Sequence, residues 1–354
     1  MRIFLTHILP EELVAKHKLS FAACNFSRNL IGGKGFDKVY TTMPVYVSGP
    51  LSIDDNDCEL VYSRLRIKGG LYARLATFAE QWDLFKRIPC KSNIWLYNIS
   101  VLNVFLYFLL RLFKRSVNIY VIELDFTPPT RKLSTMGLFL WIMNHSKGIV
   151  KLADSPLFTN HNAVCLAGVT PNEANYPLVE NPKLEFLLSG VLQPNISSIP
   201  MILDAFAKVP ECTLHITGVW GNMDIMNSYT QKYSNIIYHG VLPFAEYQNL
   251  LHSITFQLSL RNPDWADNTC NFPSKIIEAL VHNRGIVSTI QYSQLDGINY
   301  ITTEKSVNGF VATLKKISEM SAEKLCGLVN QGNKIKELFS VEVWNKCMSE
   351  IESK

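Results

Sequence analysis

The sequence has little charge for its length. Only 18% of its 354 residues are Asp, Glu, Lys or Arg, whereas 47% are hydrophobic. It contains no internal repeat and no low-complexity segment. Such a composition excludes an intrinsically disordered or fibrous chain and provides for large apolar cores. At this length we expect two globular domains.

Paired cysteines are also missing. The eight cysteines are widely spaced and form no C-x-x-C motif, which argues against a structural zinc site. We therefore expect reduced, buried thiols in a cytoplasmic protein, and no metal cofactor. The apolar run at Met1–Leu5 is too short for a signal peptide and is soon followed by Glu11 and Glu12, so we expect it to be a strand.

One segment has no charge at all. Residues 92–110 contain no Asp, Glu, Lys or Arg, and this length is close to that of a membrane span. Asn93, Asn98 and Asn103 interrupt it, so we expect a strand at 93–98 followed by a very apolar helix at 101–113. Two alternatives remain for that helix: burial in a core, or a position at a membrane surface.

Acidic residues are scarce in the segment 64–122. It holds ten Lys and Arg residues but only Glu80 and Asp83, a net charge of +8, while the rest of the chain is −4. A basic patch of this kind indicates anionic lipid, nucleic acid or a phosphorylated substrate. Since no nucleic-acid-binding motif accompanies it, we expect peripheral attachment to an anionic membrane surface and no nucleic acid.

Apolar runs alternate with helical patterns along the chain, which predicts parallel, doubly wound α/β sheets. In the first half we expect strands at 2–9, 38–47, 60–67, 93–98, 117–124 and 148–153, with helices at 20–31, 70–87, 101–113 and 132–146. In the second half we expect strands near 184–188, 212–216, 235–238, 254–260 and 286–290. The predicted domains are residues 1–175 and 183–335, and a helical C-terminal segment covers residues 336–354.

The stretch 253–290 carries the clearest chemical signal. A strand, a polar loop, a helix and a second strand follow one another, and Pro273 suits the first turn of the helix. Lys275 lies in that first turn, where the helix dipole disfavours a cation, and Glu278 follows one turn later. A phosphate at the helix N-terminus would explain the lysine, and ribose hydroxyls would suit the carboxylate. The alternative is a surface ion pair.

The run Phe272-Pro273-Ser274-Lys275, with Glu278, resembles the donor-site signature of family-4 retaining glycosyltransferases. Glycine-bearing strand ends at 188–192 and 214–218 resemble the preceding strands of that family. The resemblance is clear over about residues 184–292 and is closest to members that build capsule or O-antigen polysaccharides. It implies the GT-B fold, which consists of two facing Rossmann-like domains with a C-terminal helix that crosses back. It also implies transfer of a sugar from a nucleotide diphosphate to a lipid-linked saccharide acceptor, without a metal.

The resemblance and the strand ends together give the expected site residues. Lys275 and Asp125 are the expected catalytic residues. The expected donor-binding residues are Gly190, Gly218, Arg261, Asn271, Phe272, Pro273, Ser274, Lys275 and Glu278. The expected acceptor-binding residues, which follow or lie near strand ends of the first domain, are Asn25, Asn29, Asn98 and Asp125. For Asp125 the alternative is a turn or a helix cap.

The sequence also departs from the family pattern. Cys270 stands where the family often has a glutamate, residues 191–197 contain no Lys or Arg, and no histidine lies in a recognisable motif. Phosphate neutralisation then depends on Lys275, Arg261 and backbone amides near Gly190 and Gly218. Two alternative functions follow: a sugar-nucleotide epimerase of the same architecture, and a non-catalytic partner subunit.

Overall fold

The computed structural model of the protein describes residues 1–9, 13, 21–49, 57–171 and 176–354. These residues form two compact units. Unit 1 comprises Met1–Asn172, Thr269–Phe272 and Phe339–Lys354, and unit 2 comprises Glu173–Asn268 and Pro273–Leu338.

Unit 1 is built on a seven-stranded sheet with the strand order β3-β2-β1-β4-β5-β6-β7. All its neighbouring strands are parallel. The strands are β1 (Arg2–Thr6), β2 (Lys38–Thr41), β3 (Glu59–Leu60), β4 (Asn93–Tyr97), β5 (Asn118–Glu123), β6 (Gly148–Lys151) and β7 (Ala163–Cys165). Helices α1 (Phe21–Gly32), α2 (Gly70–Arg87), α3 (Val104–Phe113) and α4 (Thr135–Asn144) connect them.

The predicted strand at 60–67 is wrong for most of its length. After Leu60 the chain turns into a 3-10 helix at Arg64–Lys68, which Ser63 begins by accepting a hydrogen bond from Leu65 N. The Arg66 side chain is completely buried and bonds to carbonyl oxygens of Met43, Pro44 and Val47. Those bonds hold the chain in a loop rather than in the sheet.

Unit 2 has a six-stranded parallel sheet with the order β10-β9-β8-β11-β12-β13. Its strands are β8 (Glu185–Val191), β9 (Thr213–Val219), β10 (Ile236–Tyr238), β11 (Phe256–Ser259), β12 (Gly285–Ser288) and β13 (Ile301–Thr302). Its helices are α5 (Pro194–Ser197), α6 (Ile199–Phe206), α7 (Met223–Lys232), α8 (Phe244–Ser253), α9 (Ser274–Val281), α10 (Val307–Ser318), α11 (Ala322–Cys326) and α12 (Gly332–Phe339). The predicted alternation of strands and helices is confirmed in both halves of the chain. Among the strands that the structure describes, the short edge strands β7 and β13 were not predicted.

The last helix, α13 (Val341–Glu352), belongs to unit 1. Trp344 is fully buried, and its indole Nε1 donates to the carbonyl oxygen of Gly168 at 2.7 Å. Near the end of the helix, Glu352 accepts hydrogen bonds from Arg2 and from Trp95 Nε1. The expected return of the C-terminal helix to the first domain is confirmed.

The charge-free segment divides as the sequence predicts, into β4 and α3. Leu106 and Leu110 of α3 are fully buried, whereas Leu112 and Phe113 are exposed. Of the helices that the structure describes, none combines the length and the apolar character of a membrane span.

Candidate donor site and acceptor residues

The strand order in unit 2 reverses direction between β8 and β11. In doubly wound sheets, ligands bind beyond the carboxyl ends of the strands at such a switch point. Gly190 near the end of β8 pairs in register with Gly218 of β9. The switch point of unit 2 therefore has two neighbouring glycines beside it.

These two glycines are required by their surroundings. Gly190 has a φ of +99° and Gly218 a φ of +137°, which disfavour any residue with a side chain. A Cβ atom at Gly218 would lie 2.0 Å from the carbonyl oxygen of Gly190. A Cβ atom at Gly190 would lie 1.9 Å from Nζ of Lys275. The lysine ammonium thus lies directly over the backbone at the end of β8.

Helix α9 positions this lysine. Pro273 is its N-cap residue, Ser274 is its exposed first residue, and Lys275 occupies the first turn. Ile276, Ile277, Ala279, Leu280 and Val281 are buried along its apolar side. Because the first turn of a helix leaves backbone N–H groups outside the helical hydrogen bonds, the lysine and these groups share one anion-attracting end.

Helix α9 ends at Val281, and His282 is its C-cap residue. Asn283 takes the left-handed conformation with a φ of +64°. Its side-chain amide donates to the carbonyl oxygen of Tyr176 at 2.9 Å and accepts from Gly332 N at 3.0 Å. Gly285 is already the first residue of β12 and packs closely against the Phe256 ring.

Lys275 is poorly solvated. Burial lowers the pKa of its ammonium from 10.5 to about 8, the charge of Glu278 opposes this, and Arg261 adds to the lowering. Arg261 follows β11, and its guanidinium carbon lies 5.8 Å from the centre of the Trp265 ring. An anion bound beside Lys275 and Arg261 would offset this repulsion.

Glu278 is held by side chains of helix α8. The Tyr247 hydroxyl donates to Oε2 at 2.9 Å, and Gln248 Nε2 lies 3.4 Å from Oε1. Burial raises the pKa of Glu278, while the bond from Tyr247 and the charge of Lys275 lower it. A carboxylate has about four acceptor positions, so these bonds orient Glu278 and leave it capacity to accept from a diol.

Asn271 and Phe272 belong to unit 1 rather than to unit 2. The Asn271 side chain accepts from Phe126 N at 2.8 Å and donates to Phe126 O at 3.2 Å. Cys270 is fully buried in the apolar core of the same unit, with its sulfur 3.5 Å from Ser155 Oγ. The predicted donor motif is thus divided: residues 273–278 lie with Gly190 and Gly218 in unit 2, and Asn271 is bonded beside Asp125.

The four predicted acceptor residues all lie in unit 1. Asn25 and Asn29 are half-buried on α1, and Asp125 is exposed just after β5. Asn98 follows β4 with a φ of +49°, and its Oδ1 accepts from Leu124 N at 2.7 Å. Asn98 N also donates to the carbonyl oxygen of Ile122 at 2.9 Å, so Asn98 and Asp125 lie at neighbouring strand ends that two hydrogen bonds link.

Glu123 is the group at this edge that the sequence did not single out. It is the last residue of β5 and is 1% exposed, and neither carboxylate oxygen has a hydrogen-bond partner among the described residues. Burial and Asp125 raise its pKa well above the ordinary value, and Lys151, its register partner on β6, lowers it. The sequence signal that could have identified Glu123 is a glutamate at the end of a mainly apolar strand.

His7, just beyond β1, has a similar environment. Its Nδ1 lies 2.9 Å from Thr42 Oγ1, and its Nε2 is buried without a partner among the described residues. Burial lowers the pKa of His7 to about 4. The carboxyl edge of the unit 1 sheet therefore holds a neutral imidazole and a carboxyl group that burial pushes towards its neutral form. Both suit the recognition of uncharged hydroxyl groups.

No group of three or more His, Cys, Asp or Glu side chains is arranged to hold a metal ion within the described ranges. Of the predicted site residues, Gly190, Gly218 and Lys275 lie together at the switch point of unit 2, and Asn98 and Asp125 follow neighbouring strands of unit 1.

No protein-family model matches the sequence, and no curated protein matches it significantly. Solved structures do match. HepE from Anabaena in complex with UDP and glucose has a TM-score of 0.66 at 12% identity, over 100% of this chain and 99% of that one. A trehalose-6-phosphate structure from E. coli bound with UDP-2-fluoro glucose has a TM-score of 0.65 at 12% identity, with the same coverage. A trehalose-6-phosphate synthase studied for glycosyl transfer with retention has a TM-score of 0.64 at 12% identity, over 100% of this chain and 99% of that one. The chain therefore has the GT-B fold, with two Rossmann-like domains.

Proposed function

We propose that this protein is a retaining glycosyltransferase that uses a UDP-sugar as its donor. The observation that carries the proposal is the position of Lys275. Its ammonium is partly desolvated, lies over Gly190 at the switch point, and is followed one turn later by the oriented carboxylate of Glu278. Two of the structural neighbours contain UDP together with glucose or as a fluoro-glucose derivative, which supports uridine as the nucleoside.

In this proposal the donor diphosphate binds at the N-terminus of α9. Lys275, Arg261 and the helix amides neutralise it, and they stabilise the charge that develops as the nucleotide leaves. Glu278 accepts hydrogen bonds from the ribose hydroxyls. Since these residues supply the positive charge, we assign diphosphate binding to the chain itself rather than to a metal ion.

We assign acceptor binding to the carboxyl edge of the unit 1 sheet. Asp125 is the exposed carboxylate there and would contact the attacking hydroxyl group, and Asn98 holds the neighbouring strand end in place. Asn25 and Asn29 on α1 are further candidates. A lipid-linked saccharide of surface polysaccharide synthesis is the acceptor class that the sequence resemblance favours.

The first experiment is a thermal-shift and calorimetric screen with UDP, GDP and CDP. A ligand at about 100 times its dissociation constant stabilises a protein by about 2.7 kcal/mol, so the response is measurable. We expect UDP to give the largest shift, and Lys275→Ala and Glu278→Ala each to reduce it. Lys315→Ala, on the exposed side of α10 in the same unit, is the matched control and should leave it unchanged.

The chemical step is tested by incubating the protein with a UDP-sugar and simple glycoside acceptors. We expect release of UDP and a product with the donor's anomeric configuration, with a rate that Lys275→Ala lowers by at least about a hundredfold. Wild-type turnover in Lys275→Ala, or an inverted product, would contradict the proposal.

A non-catalytic nucleotide-sugar-binding subunit is the second candidate. It is favoured by the absence of Lys and Arg from residues 191–197, which removes two cations that related donor sites use. UDP binding that depends on Lys275 and Glu278, but without turnover of any UDP-sugar, would select this alternative. Conversion of the donor sugar without any acceptor would indicate an epimerase instead.

A further inference from the structure

Helix α2 is oriented with its apolar side towards solvent. Leu71, Leu75, Phe78 and Trp82 follow one another at i, i+4, i+7 and i+11 and are 69%, 47%, 53% and 44% exposed. The buried side of the helix consists of Ala73, Ala76, Thr77, Glu80, Gln81 and Leu84. A surface helix ordinarily turns its apolar stripe to the core. In α2 this arrangement is reversed.

Buried hydrogen bonds hold the helix in this orientation. Glu80 is 2% exposed and accepts two bonds from Arg66, from Nε and from Nη2, each at 2.6 Å. Gln81 donates to Val101 O at 3.0 Å and accepts from Leu106 N at 2.9 Å. Turning the helix to bury its stripe would leave these polar groups without partners. The exposure of the stripe is therefore built into the fold.

Helix α3 extends the apolar surface. Phe105 packs edge-on against Phe78, with ring centroids 5.6 Å apart. Phe108 and Leu112 lie along the same side of α3 and are 36% and 62% exposed. We call the surface formed by Leu71, Leu75, Phe78, Trp82, Phe108 and Leu112 the α2–α3 surface. Monomeric soluble proteins rarely expose a continuous apolar patch of this kind, which marks an interaction site.

Exposed cations lie beside the apolar side chains of this surface. Lys86 lies 5.8 Å above the Trp82 ring, Lys68 lies 5.0 Å above the Tyr72 ring, and Arg74 is exposed between Leu71 and Leu75. Of the two acids of α2, Glu80 pairs with the buried Arg66, and Asp83 bonds at 2.5 Å to Arg87, which also pairs with Glu59.

This charge distribution decides between occupants. A second copy of the chain on a twofold axis would place the same cations opposite themselves, and Asp83, the exposed acid of α2, is already bonded to Arg87. Anionic lipid headgroups match the cations, and lipid chains match the apolar stripe. Trp and Lys side chains with an apolar body and a polar end are suited to the region between the two.

We propose that the α2–α3 surface docks on the face of a lipid bilayer that contains anionic lipids. Leu71, Leu75, Phe78 and Trp82 enter the boundary between headgroups and acyl chains, and Arg74 and Lys86 contact the headgroups. The proposal rests on unit 1 alone and does not depend on the proposed glycosyl transfer.

The test is co-sedimentation of the full chain with vesicles of phosphatidylcholine alone or mixed with phosphatidylglycerol. We expect strong binding only to the mixed vesicles, and weakening by salt. Arg74→Ala/Lys86→Ala should weaken binding about fivefold for each cation removed, since a cation near an anionic surface contributes about 1 kcal/mol. The exposed pair Lys315→Ala/Lys316→Ala on α10 is the matched control, and it should bind like the wild type.

The apolar part of the surface is tested by Leu71→Gln/Leu75→Gln, which should lose about tenfold or more in binding to mixed vesicles. Ile225→Gln, at an exposed position on α7, is its control. Both leucines are exposed, so thermal unfolding of the variant should match the wild type. Brominated lipid should quench tryptophan fluorescence in the wild type, and Trp82→Phe should remove most of that quenching.

Two results would overturn the proposal. One is equal binding to both kinds of vesicle, or binding that both double variants leave unchanged. The other is a dimer in light scattering that Leu71→Gln/Leu75→Gln dissociates, because the surface would then be covered by a second copy.

Discussion

The ammonium of Lys275 lies where a side chain on Gly190 would have to be, since a Cβ atom there would lie 1.9 Å from Nζ. The glycine at the end of β8 and the lysine at the start of α9 therefore depend on each other. A cation at a helix N-terminus is unfavourable. The arrangement of this glycine and this lysine is therefore explained only if an anion also binds there.

Gly190→Ala should weaken UDP binding at least about tenfold. The new methyl group would displace Lys275, and the φ of +99° would strain the backbone by about 1–3 kcal/mol. Calorimetric titration with UDP and thermal unfolding measure the two effects separately. Gly221→Ala is the control, because a Cβ atom at Gly221 meets nothing within 4 Å. Unchanged UDP affinity in Gly190→Ala would show that Lys275 does not need its observed position.

The pKa of Lys275 gives a pH dependence with a definite sign. In the folded protein this pKa is lowered from 10.5 to about 8, so between these values the unfolded chain binds more protons. The ligand-free protein should therefore gain stability from this group as pH rises from about 8 to 10.5. Bound diphosphate favours the charged form, so UDP affinity should fall over the same range, by up to about tenfold per pH unit.

Titration calorimetry with UDP at a series of pH values from 7 to 10 measures this fall. Lys275→Arg keeps the charge and should bind UDP with an affinity that changes little over the range. A wild-type affinity that stays constant to pH 10 would mean that the ammonium does not contact the diphosphate.

Glu278 should distinguish ribose from deoxyribose. If its carboxylate accepts from the ribose hydroxyls, 2′-deoxy-UDP should bind the wild type about ten- to a hundredfold more weakly than UDP, since bonds to a charged group contribute about 1.5–3 kcal/mol. Glu278→Ala should bind both nucleotides equally weakly. Equal affinities of the wild type for both nucleotides would remove Glu278 from the ribose site. Glu246→Ala on the exposed side of α8 serves as the control.

Much of the architecture follows from patterns in the sequence. Apolar runs at 93–98 and 117–124 predict strands because a doubly covered parallel sheet needs them, and β4 and β5 confirm both predictions. Lys275 and Glu278 could be singled out because their spacing on one helix fixes their relation. Local sequence patterns were sufficient to predict features that depend on contacts between residues close together in the chain.

The remaining features depend on contacts that are distant in the sequence. The pattern of residues 70–87 correctly predicts a helix but does not show which side is buried, because the Arg66–Glu80 pair decides that. The contact of the Asn271 side chain could not be predicted either, because its partner Phe126 lies 145 residues away in the sequence. The burial of Glu123 without a hydrogen-bond partner among the described residues likewise becomes visible only once the strands are assembled.

The buried carboxyl of Glu123 should make the protein less stable as pH rises. Its pKa is raised by burial, so above pH 4.5 the folded state keeps a proton that the unfolded chain releases. Stability should then decline with rising pH until this group ionises. Glu123→Gln removes that penalty and should increase the melting temperature at pH 8 more than at pH 5. Glu319→Gln, at an exposed position, is the control and should change neither melting temperature. A Glu123→Gln variant with a lower melting temperature than the wild type at both pH values would show that the carboxylate is charged and stabilising.

The Arg66–Glu80 pair should be the most sensitive point of unit 1. Glu80→Ala leaves the completely buried guanidinium of Arg66 without its charge partner, which costs about 3–5 kcal/mol. Asp83→Ala on the same helix breaks only an exposed bond to Arg87 and should cost less than about 1 kcal/mol. Urea unfolding of the two variants gives the comparison.

Because Glu80 also fixes which side of α2 faces solvent, Glu80→Ala should weaken vesicle binding as well. Asp83→Ala removes an acid beside the cations and should strengthen vesicle binding. Equal unfolding free energies for the two variants would mean that the orientation of α2 is set by something other than this pair.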